Sequence, residues 1–247
     1  MTVRASLANP IRRLKYDGAE PAVFCPVKVV PMTLGHAWYW HRHVQPLVND
    51  QYVSATAGNV RLDPHAGVRA DVGWNWPLYY AMAGTTNRLK QGAERAVAWT
   101  IVAEVSGGSV PVGMLTSVPA YASPYPGDHS KLGFVWYLSN APREHLDRVG
   151  LPPLLGVAYM LVDVAIQTRL ALGGDASIFL HADPAGGEKL VEFYERKCRM
   201  ARLWNEKRIS LVRKVEPGQY FAMANEQARD FCARFDKYRG DQTSQEG

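Results

Sequence analysis

The stretch Ser177–Met200, SIFLHADPAGGEKLVEFYERKCRM, carries the pattern that decides the fold of this chain. Its first residues, Ser177–His181, are apolar enough to predict a short buried strand. Asp183-Pro184 and Gly186-Gly187 then predict a turn. The residues after the turn have the spacing of an amphipathic helix, with Phe193-Tyr194 in its middle. The stretch therefore predicts a strand, a turn and a helix in immediate succession.

The other elements are predicted on both sides of this stretch. Before it, the patterns indicate a strand, two helices, three consecutive strands and a long helix that Gly173-Gly174 ends. After it, they indicate two strands and a final helix. The ranges are Pro26–Pro31, Leu34–Leu47, Trp74–Leu89, Ala96–Val105, Val110–Pro119, Leu132–Leu138, Pro153–Leu172, Ile209–Val215, Gln219–Met223 and Asn225–Tyr238, and Asn49–Val72 reads as loop or interrupted helix. This order predicts an α/β fold with a mixed, mostly antiparallel central sheet and helices on both faces.

The strand and the Phe-Tyr helix resemble the C-terminal half of the GNAT acyl-CoA N-acyltransferases. The family's usual text is Phe-Tyr-x-x-x-Gly-Phe, and this chain reads Phe193-Tyr194-Glu195-Arg196-Lys197-Cys198-Arg199-Met200. The predicted order of elements is also the GNAT order, so the resemblance covers roughly Val23 to Phe235. It implies a divergent member with one acyltransferase domain at residues 21–239, between an irregular leader at 1–20 and a flexible tail at 240–247.

The resemblance implies a reaction and a cofactor. The expected activity is transfer of an acyl group, most simply acetyl, from acetyl-CoA or another acyl-CoA to an amine of a small molecule or a protein. Two alternatives stay open. One is a GNAT-fold module that binds acyl-CoA weakly and has a regulatory role, and the other is an acetyltransferase directed to tRNA. The acceptor amine is left open, and a homodimer is compatible with the sequence.

GNAT proteins hold the CoA phosphates in a Gln/Arg-x-x-Gly-x-Gly/Ala loop at the start of the long helix. Free backbone N–H groups and the positive end of the helix dipole bind phosphate there. The matching segment here begins with Pro153, so Arg143 or Arg148 in the longer lead-in would supply the missing cation. The family places the pantetheine arm along the splayed end of the preceding strand. The implied cofactor residues, for which ordinary packing is the alternative, are Trp136, Tyr137, Leu138, Arg148, Leu155, Gly156, Val157 and Ala158.

Acyl transfer to an amine needs a neutral nucleophile, stabilisation of the oxyanion and a proton for the leaving thiolate. The family's Phe-Tyr helix places its tyrosine beside the sulfur, so Tyr194 is the expected general acid. Glu104 is a candidate base because family members often carry a carboxylate at that strand end. His181 and Asp183 are further candidates, since they end the strand beside the acyl site. The alternatives are a packed aromatic for Tyr194, a solvated hairpin end for Glu104, and a turn or cap for Asp183.

Composition and charge narrow the remaining classes. The chain has 247 residues, 47% of them hydrophobic, which is enough for a substantial core. No apolar run is long enough to cross a membrane, and no secretory signal is present. Three widely separated cysteines indicate a reducing compartment, so we expect a cytoplasmic protein.

Neither a metal site nor a nucleic-acid groove is expected. His41 and His43 lie two positions apart on a predicted helix and so point to different faces. The formal net charge is +5, with dispersed Lys and Arg, and the basic residues from Arg196 to Lys214 are interleaved with Glu195 and Glu206. This balance favours the CoA phosphates and solubility over a nucleic-acid partner.

Overall fold

The computed structural model describes residues 7–56, 67–204 and 218–240. The strands within these residues are β1 (Arg13–Lys15), β2 (Phe24–Pro31), β3 (Tyr52–Val53), β4 (Gly67–Val68), β5 (Val97–Val105), β6 (Gly108–Ala122), β7 (Lys131–Asn140), β8 (Ile178–His181), β9 (Ala201–Leu203) and β10 (Tyr220–Met223). The α-helices are α1 (Leu34–Tyr39), α2 (Gln45–Gln51), α3 (Trp76–Thr86), α4 (Arg143–Arg148), α5 (Val157–Ala171), α6 (Gly187–Glu192) and α7 (Asn225–Ala233). Two π-helical turns, Trp40–Val44 and Phe193–Lys197, continue α1 and α6.

Eight strands form the central sheet in the order β1-β2-β5-β6-β7-β8-β10-β9. Only β7 and β8 pair in parallel, and every other neighbouring pair is antiparallel. Strands β3 and β4 form a separate parallel pair. The prediction of a mixed, mostly antiparallel sheet is therefore confirmed.

Helices cover both faces of this sheet. Gly113 of β6 lies against Val157 and Leu161 of α5. Tyr137 of β7 points to the opposite face, because its register places it one residue out of phase with the partner of Gly113. On that face its ring stacks on Tyr79 of α3 at a centroid distance of 3.8 Å. The two faces are referred to below as the α5 face and the α3 face.

The sequence fixes several helix starts through local hydrogen bonds. Thr33 and His36 form a capping box at α1, in which the Thr33 hydroxyl accepts the His36 N–H at 3.1 Å. Asn75 caps α3 by accepting the Leu78 N–H at 3.0 Å, and Pro77 lies in the first turn as predicted.

Three features differ from the sequence expectations. The leader, expected to be irregular, contributes strand β1 and buries Ile11 and Leu14, a segment too short to give a periodic signal. The helix predicted over 34–47 contains a π-helical turn and continues to Gln51. Strand β9 was not predicted, and the strand predicted at Ile209–Val215 lies outside the described residues.

A buried ion pair ties the two ends of the described chain to α5. The guanidinium of Arg239 donates to both carboxylate oxygens of Asp163 and to the carbonyl of Asn9. Both charged side chains are almost fully buried, so each compensates the desolvation of the other. Within the described ranges, no helix is long and apolar enough to cross a membrane.

Candidate active site in the gap between two strands

Strands β7 and β8 separate partway along their length. They pair only from Gly133–Val135 to Ile178–Leu180, and a bulge at Trp136 changes the register of β7. The Ala141 N–H donates to the Val112 carbonyl at 2.9 Å, so by alternation the backbone groups of Leu138 point toward the missing neighbour. The far end of β7 therefore offers unpaired hydrogen-bonding groups.

A cleft of about 250 Å³ opens at this gap. Its walls combine apolar side chains from the two strands and from α6 with a smaller set of polar groups. The lining residues include Val68, Arg69, Asp71, Trp74, Trp136, Leu138, Ser139, Asn140, Ala158, His181, Asp183, Lys189, Leu190, Phe193 and Tyr194. A mostly apolar concave site with a few convergent polar groups is the usual form of a small-molecule site.

Tyr194 reaches the cleft from the π-helical turn that follows α6. The wide turn is closed by the Cys198 N–H, which donates to the Phe193 carbonyl at 2.8 Å. The Tyr194 ring packs against Phe221 at 5.7 Å, and only 6% of the residue is exposed. Its hydroxyl makes no hydrogen bond to any residue that the structure describes. Burial, the neighbouring Cys198 and the charge of Asp71 raise the pKa of Tyr194, so the hydroxyl keeps its proton.

The two candidate bases at the end of β8 both line the cleft. Nε2 of His181 lies 2.8 Å from Oε1 of Gln219, and its ring stands edge-on to Tyr220. The Asp183 carboxylate accepts the Ala185 N–H at 3.0 Å and so also shapes the turn. That either residue acts as a base stays a prediction. The structure also shows Asp183 stabilising the turn through its hydrogen bond with Ala185.

A buried ion pair that the sequence interpretation missed forms another wall. Arg69 donates to both oxygens of Asp71, from Nε at 2.8 Å and from Nη2 at 2.7 Å. The Ser139 hydroxyl donates to the same carboxylate, and Nη2 of Arg69 also donates to the Asn140 carbonyl at 2.6 Å. Burial works to lower the pKa of Arg69, but the Asp71 carboxylate outweighs it and the pKa is raised. The stretch that begins at Asp71, DVGWNWPLYY, is rich in aromatic residues, and nothing in its pattern of residue types indicates this ion pair.

The segment before α5 has a different environment from the one expected of a phosphate loop. The Leu155 N–H donates to the Lys15 carbonyl at 2.9 Å, and the Asp17 N–H donates to the Pro153 carbonyl at 2.8 Å. The leader therefore pairs with this segment and uses two of its backbone groups. Gly156 caps α5 with a φ of 88°, a left-handed conformation that suits glycine.

The predicted cofactor residues divide into two groups. Trp136, Leu138 and Ala158 line the cleft. The residues outside its lining are Tyr137, Arg148, Leu155, Gly156 and Val157: Tyr137 is stacked on Tyr79, Arg148 lies in α4, Leu155 is exposed, and Val157 is buried against β6.

Glu104 also lies outside the cleft lining. It is the next-to-last residue of β5, where its carboxylate forms an ion pair with Lys28 of the neighbouring strand β2. Its side chain is 42% exposed. The structure therefore brings Tyr194, His181 and Asp183 together and places Glu104 elsewhere.

Other kinds of site find little support among the described residues. No group of three or more His, Cys, Asp or Glu residues there could hold a metal ion. All three cysteines are buried, and burial raises the pKa of Cys198 to about 12, so no thiolate nucleophile is favoured. Arg196, Lys197 and Arg199 are exposed, while the rest of the basic cluster from Lys207 to Lys214 lies outside the described ranges.

Comparisons with known proteins identify similar solved structures. No protein-family model and no curated protein matches the sequence. Among solved structures, the chain is similar to apo FdhC, a nucleotide-linked sugar GNAT, with 11% identity and a TM-score of 0.46 over 87% of this chain and 95% of the other. It is similar to a provisionally described acetyltransferase, with 14% identity and a TM-score of 0.41 over 89% and 93%. It is also similar to a domain from Methanocaldococcus jannaschii DSM 2661, with 8% identity and a TM-score of 0.39 over 80% and 96%.

The fold of the chain is GNAT-like. The assignment rests on the order of the elements, with a strand and helices, an antiparallel meander, a long helix, and then a parallel strand that separates from its neighbour. This is the architecture that the sequence resemblance implies.

Proposed function

We propose that this chain is an acyl-CoA-dependent N-acyltransferase that transfers an acyl group, most simply acetyl, to an amine. The observation that carries the proposal is the position of Tyr194. Its hydroxyl has no hydrogen-bond partner among the described residues, and the residue lines the cleft at the unpaired end of β7. A protonated hydroxyl that lines a cleft, beside a gap with free backbone groups, is suited to protonate a leaving thiolate.

The acyl-CoA would supply the activated thioester. The unpaired backbone groups of Leu138 could accept and donate hydrogen bonds to the amides of its pantetheine arm. The first N–H groups of α5 lack intrahelical partners and lie beside Ala158, a small residue that lines the cleft. These groups fit an anionic, extended ligand, although Leu155 contributes no free N–H to it.

In the proposed reaction the neutral amine nitrogen attacks the thioester carbonyl carbon. A C–N bond forms, the C–S bond breaks, and Tyr194 gives its proton to the departing thiolate. The amine loses one proton to a base in the cleft, for which His181 has the more suitable intrinsic pKa, and solvent returns a proton to the tyrosine. His181, Asp183 and Tyr194 all line the same cleft, which supports this division of roles.

One observation favours a second candidate, a module that binds acyl-CoA without turnover. The leader pairs with the segment before α5, and the Lys15 carbonyl accepts the Leu155 N–H, which a phosphate loop would offer to its ligand. Weak binding with no transfer is the behaviour that this arrangement would produce.

Thermal unfolding with CoA and acetyl-CoA tests the proposal, since a ligand at about 100 times its Kd stabilises the native state by about 2.7 kcal/mol. Release of free CoA thiol from acetyl-CoA, measured across a panel of small amines and lysine peptides, then separates the two candidates. Stabilisation with amine-dependent thiol release supports the acyltransferase, and stabilisation without release supports the module. Absence of stabilisation by either thioester or CoA would reject both.

A further inference from the structure

The wall of the cleft on the α3 face is fastened to the free end of β7. The fastening consists of Arg69, Asp71 and Ser139, which we call the brace. Arg69 binds two groups: it forms a bidentate ion pair with Asp71, and it donates to the Asn140 carbonyl at 2.6 Å. Ser139 donates to the same carboxylate from the strand itself.

The brace is protected from water on its outer side. The Arg69 guanidinium lies 5.2 Å above the Tyr52 ring, and the Tyr52 hydroxyl donates to Glu144 of α4 at 3.1 Å. The side chains of Arg69 and Asp71 are only 15% and 6% exposed. A hydrogen-bonded ion pair in such surroundings holds its partners in one geometry, because loss of either leaves a buried charge uncompensated.

The position of the brace determines which part of a bound thioester would meet it. Ala158 lines the cleft from the α5 face, where the first N–H groups of α5 would hold the phosphates. Ser139 has the same facing as Tyr137, so the brace stands on the α3 face. Tyr194 lines the same cleft as Ala158 and Asp71, and the charge of Asp71 contributes to raising the Tyr194 pKa. If Tyr194 meets the sulfur of a bound thioester, the acyl group beyond the sulfur would meet the part of the cleft lined by Val68, Asp71 and Trp74.

Resting on the proposed function, we propose that the brace sets the size of the acyl group, and that the chain accepts short acyl-CoAs because Arg69, Asp71 and Ser139 hold the wall Val68–Trp74 against the end of β7. Arg69 also covers the Asn140 carbonyl, which limits the free edge of β7 to the groups of Leu138. The three residues are positioning residues, since the wall that they hold meets the acyl group.

The test is calorimetry with CoA, acetyl-CoA and butyryl-CoA on Arg69→Lys, Asp71→Asn and Ser139→Ala. Ser139→Ala removes one hydrogen bond and is the mildest change. Arg95→Lys is the matched control, because it makes the same substitution at an arginine that lies outside the cleft lining and donates to the Lys90 carbonyl at 2.9 Å. Each variant is first shown to unfold cooperatively, and the measured quantity is the ratio of the acetyl-CoA Kd to the butyryl-CoA Kd.

We expect the affinity for CoA to stay within about twofold while that ratio moves about tenfold toward butyryl-CoA, as expected when two more methylene groups become buried. The control should leave the ratio unchanged. An unchanged ratio in all folded brace variants overturns the inference while leaving the proposed function intact. An equal loss of affinity for all three ligands overturns it too, since the brace would then serve the cofactor. A wild-type protein that binds none of them rejects the proposed function itself.

Discussion

The gap between β7 and β8 and the hairpin end of β5 and β6 both hold a residue that the sequence predicts to be catalytic. In the gap, Tyr194 is 6% exposed, its hydroxyl is unpaired within the described chain, and it lines a cleft together with polar residues from several separate segments. At the hairpin end, Glu104 is half-exposed and already neutralised by Lys28. Under the proposed function this difference favours Tyr194 over Glu104, because a position at a strand end does not by itself bring a side chain into the cleft. A group becomes chemically available when burial and neighbours leave its reacting atom unpaired and facing a cavity.

The largest effect should come from Tyr194→Phe. This change keeps the ring that packs on Phe221 and removes the hydroxyl, so the fold and the affinity for acetyl-CoA should be kept. Loss of a general acid lowers turnover by roughly a hundredfold to ten-thousandfold in enzymes where proton transfer is rate-limiting. Steady-state kinetics with the acceptor found by the amine screen measures it. Full turnover in the variant would remove Tyr194 from the mechanism.

The second effect is on stability and concerns α4, the helix that follows β7. His145 of α4 is 2% exposed, its Nε2 has no partner among the described residues, and burial with the nearby His43 and Arg148 lowers its pKa from 6.5 to about 4. Between pH 6.5 and about pH 4, His145 is therefore mostly protonated in the unfolded chain and mostly neutral in the folded chain. The contribution of His145 to the free energy of unfolding is fully present above pH 6.5 and is lost as the pH drops toward 4, by at most about 3 kcal/mol.

Urea unfolding between pH 4 and 7 measures this loss. His145→Phe keeps a ring beside Tyr39 without a titrating group, so its stability should depend less steeply on pH than that of the wild type. His129→Gln is the control because His129 is exposed. Parallel curves for the wild type and His145→Phe would show that other groups cause the acid loss. The comparison also separates acid unfolding from the pH profile of any cleft base.

The third effect tests whether the cofactor enters the gap from the first turn of α5. Ala158→Glu places an anion beside the expected phosphates, yet an acidic residue in the first turn of a helix favours folding. We expect acetyl-CoA affinity to fall about tenfold or more, which corresponds to about 1.4 kcal/mol. Ala81→Glu on the exposed side of α3 makes the same change of charge away from the cleft. Equal affinity in both variants would place the phosphates elsewhere.

The elements that could be predicted are those whose own residues carry the signal. Alternating and continuous apolar runs predicted β5, β6 and β7, and the Gly173 stop predicted the end of α5. The residue pattern predicted that Tyr194 lies on a helix after the strand and turn, but it did not predict the π-helical turn that carries this residue. That turn depends on one backbone hydrogen bond from Cys198 to Phe193, which leaves no mark in the pattern of residue types.

The brace could not be predicted for a related reason. Arg69, Asp71 and Ser139 look like ordinary polar residues in their own segments, and they meet because the chain before α3 folds onto the end of β7. The spacing of residues 69 and 71 is compatible with an ion pair, but it does not show that the pair is buried. The burial of this pair beside Ser139 is a property of the tertiary structure alone. The same holds for the pairing of Pro153–Leu155 with the leader, which joins segments more than 130 residues apart.

The smallest effect should come from Glu104→Gln, which tests the hairpin end of the comparison between Tyr194 and Glu104. The change removes the charge that pairs with Lys28 and keeps the size of the side chain. An exposed ion pair contributes at most about 1 kcal/mol to stability, so the variant should fold as the wild type does. Because Glu104 does not line the cleft, we expect turnover to change by less than about twofold at saturating acceptor. Lys28→Gln breaks the same pair and keeps the carboxylate, so it separates loss of the ion pair from loss of the base. A fall of about tenfold or more in Glu104→Gln alone would mean that Glu104 reaches the amine through water and that the cleft is larger than its lining residues indicate.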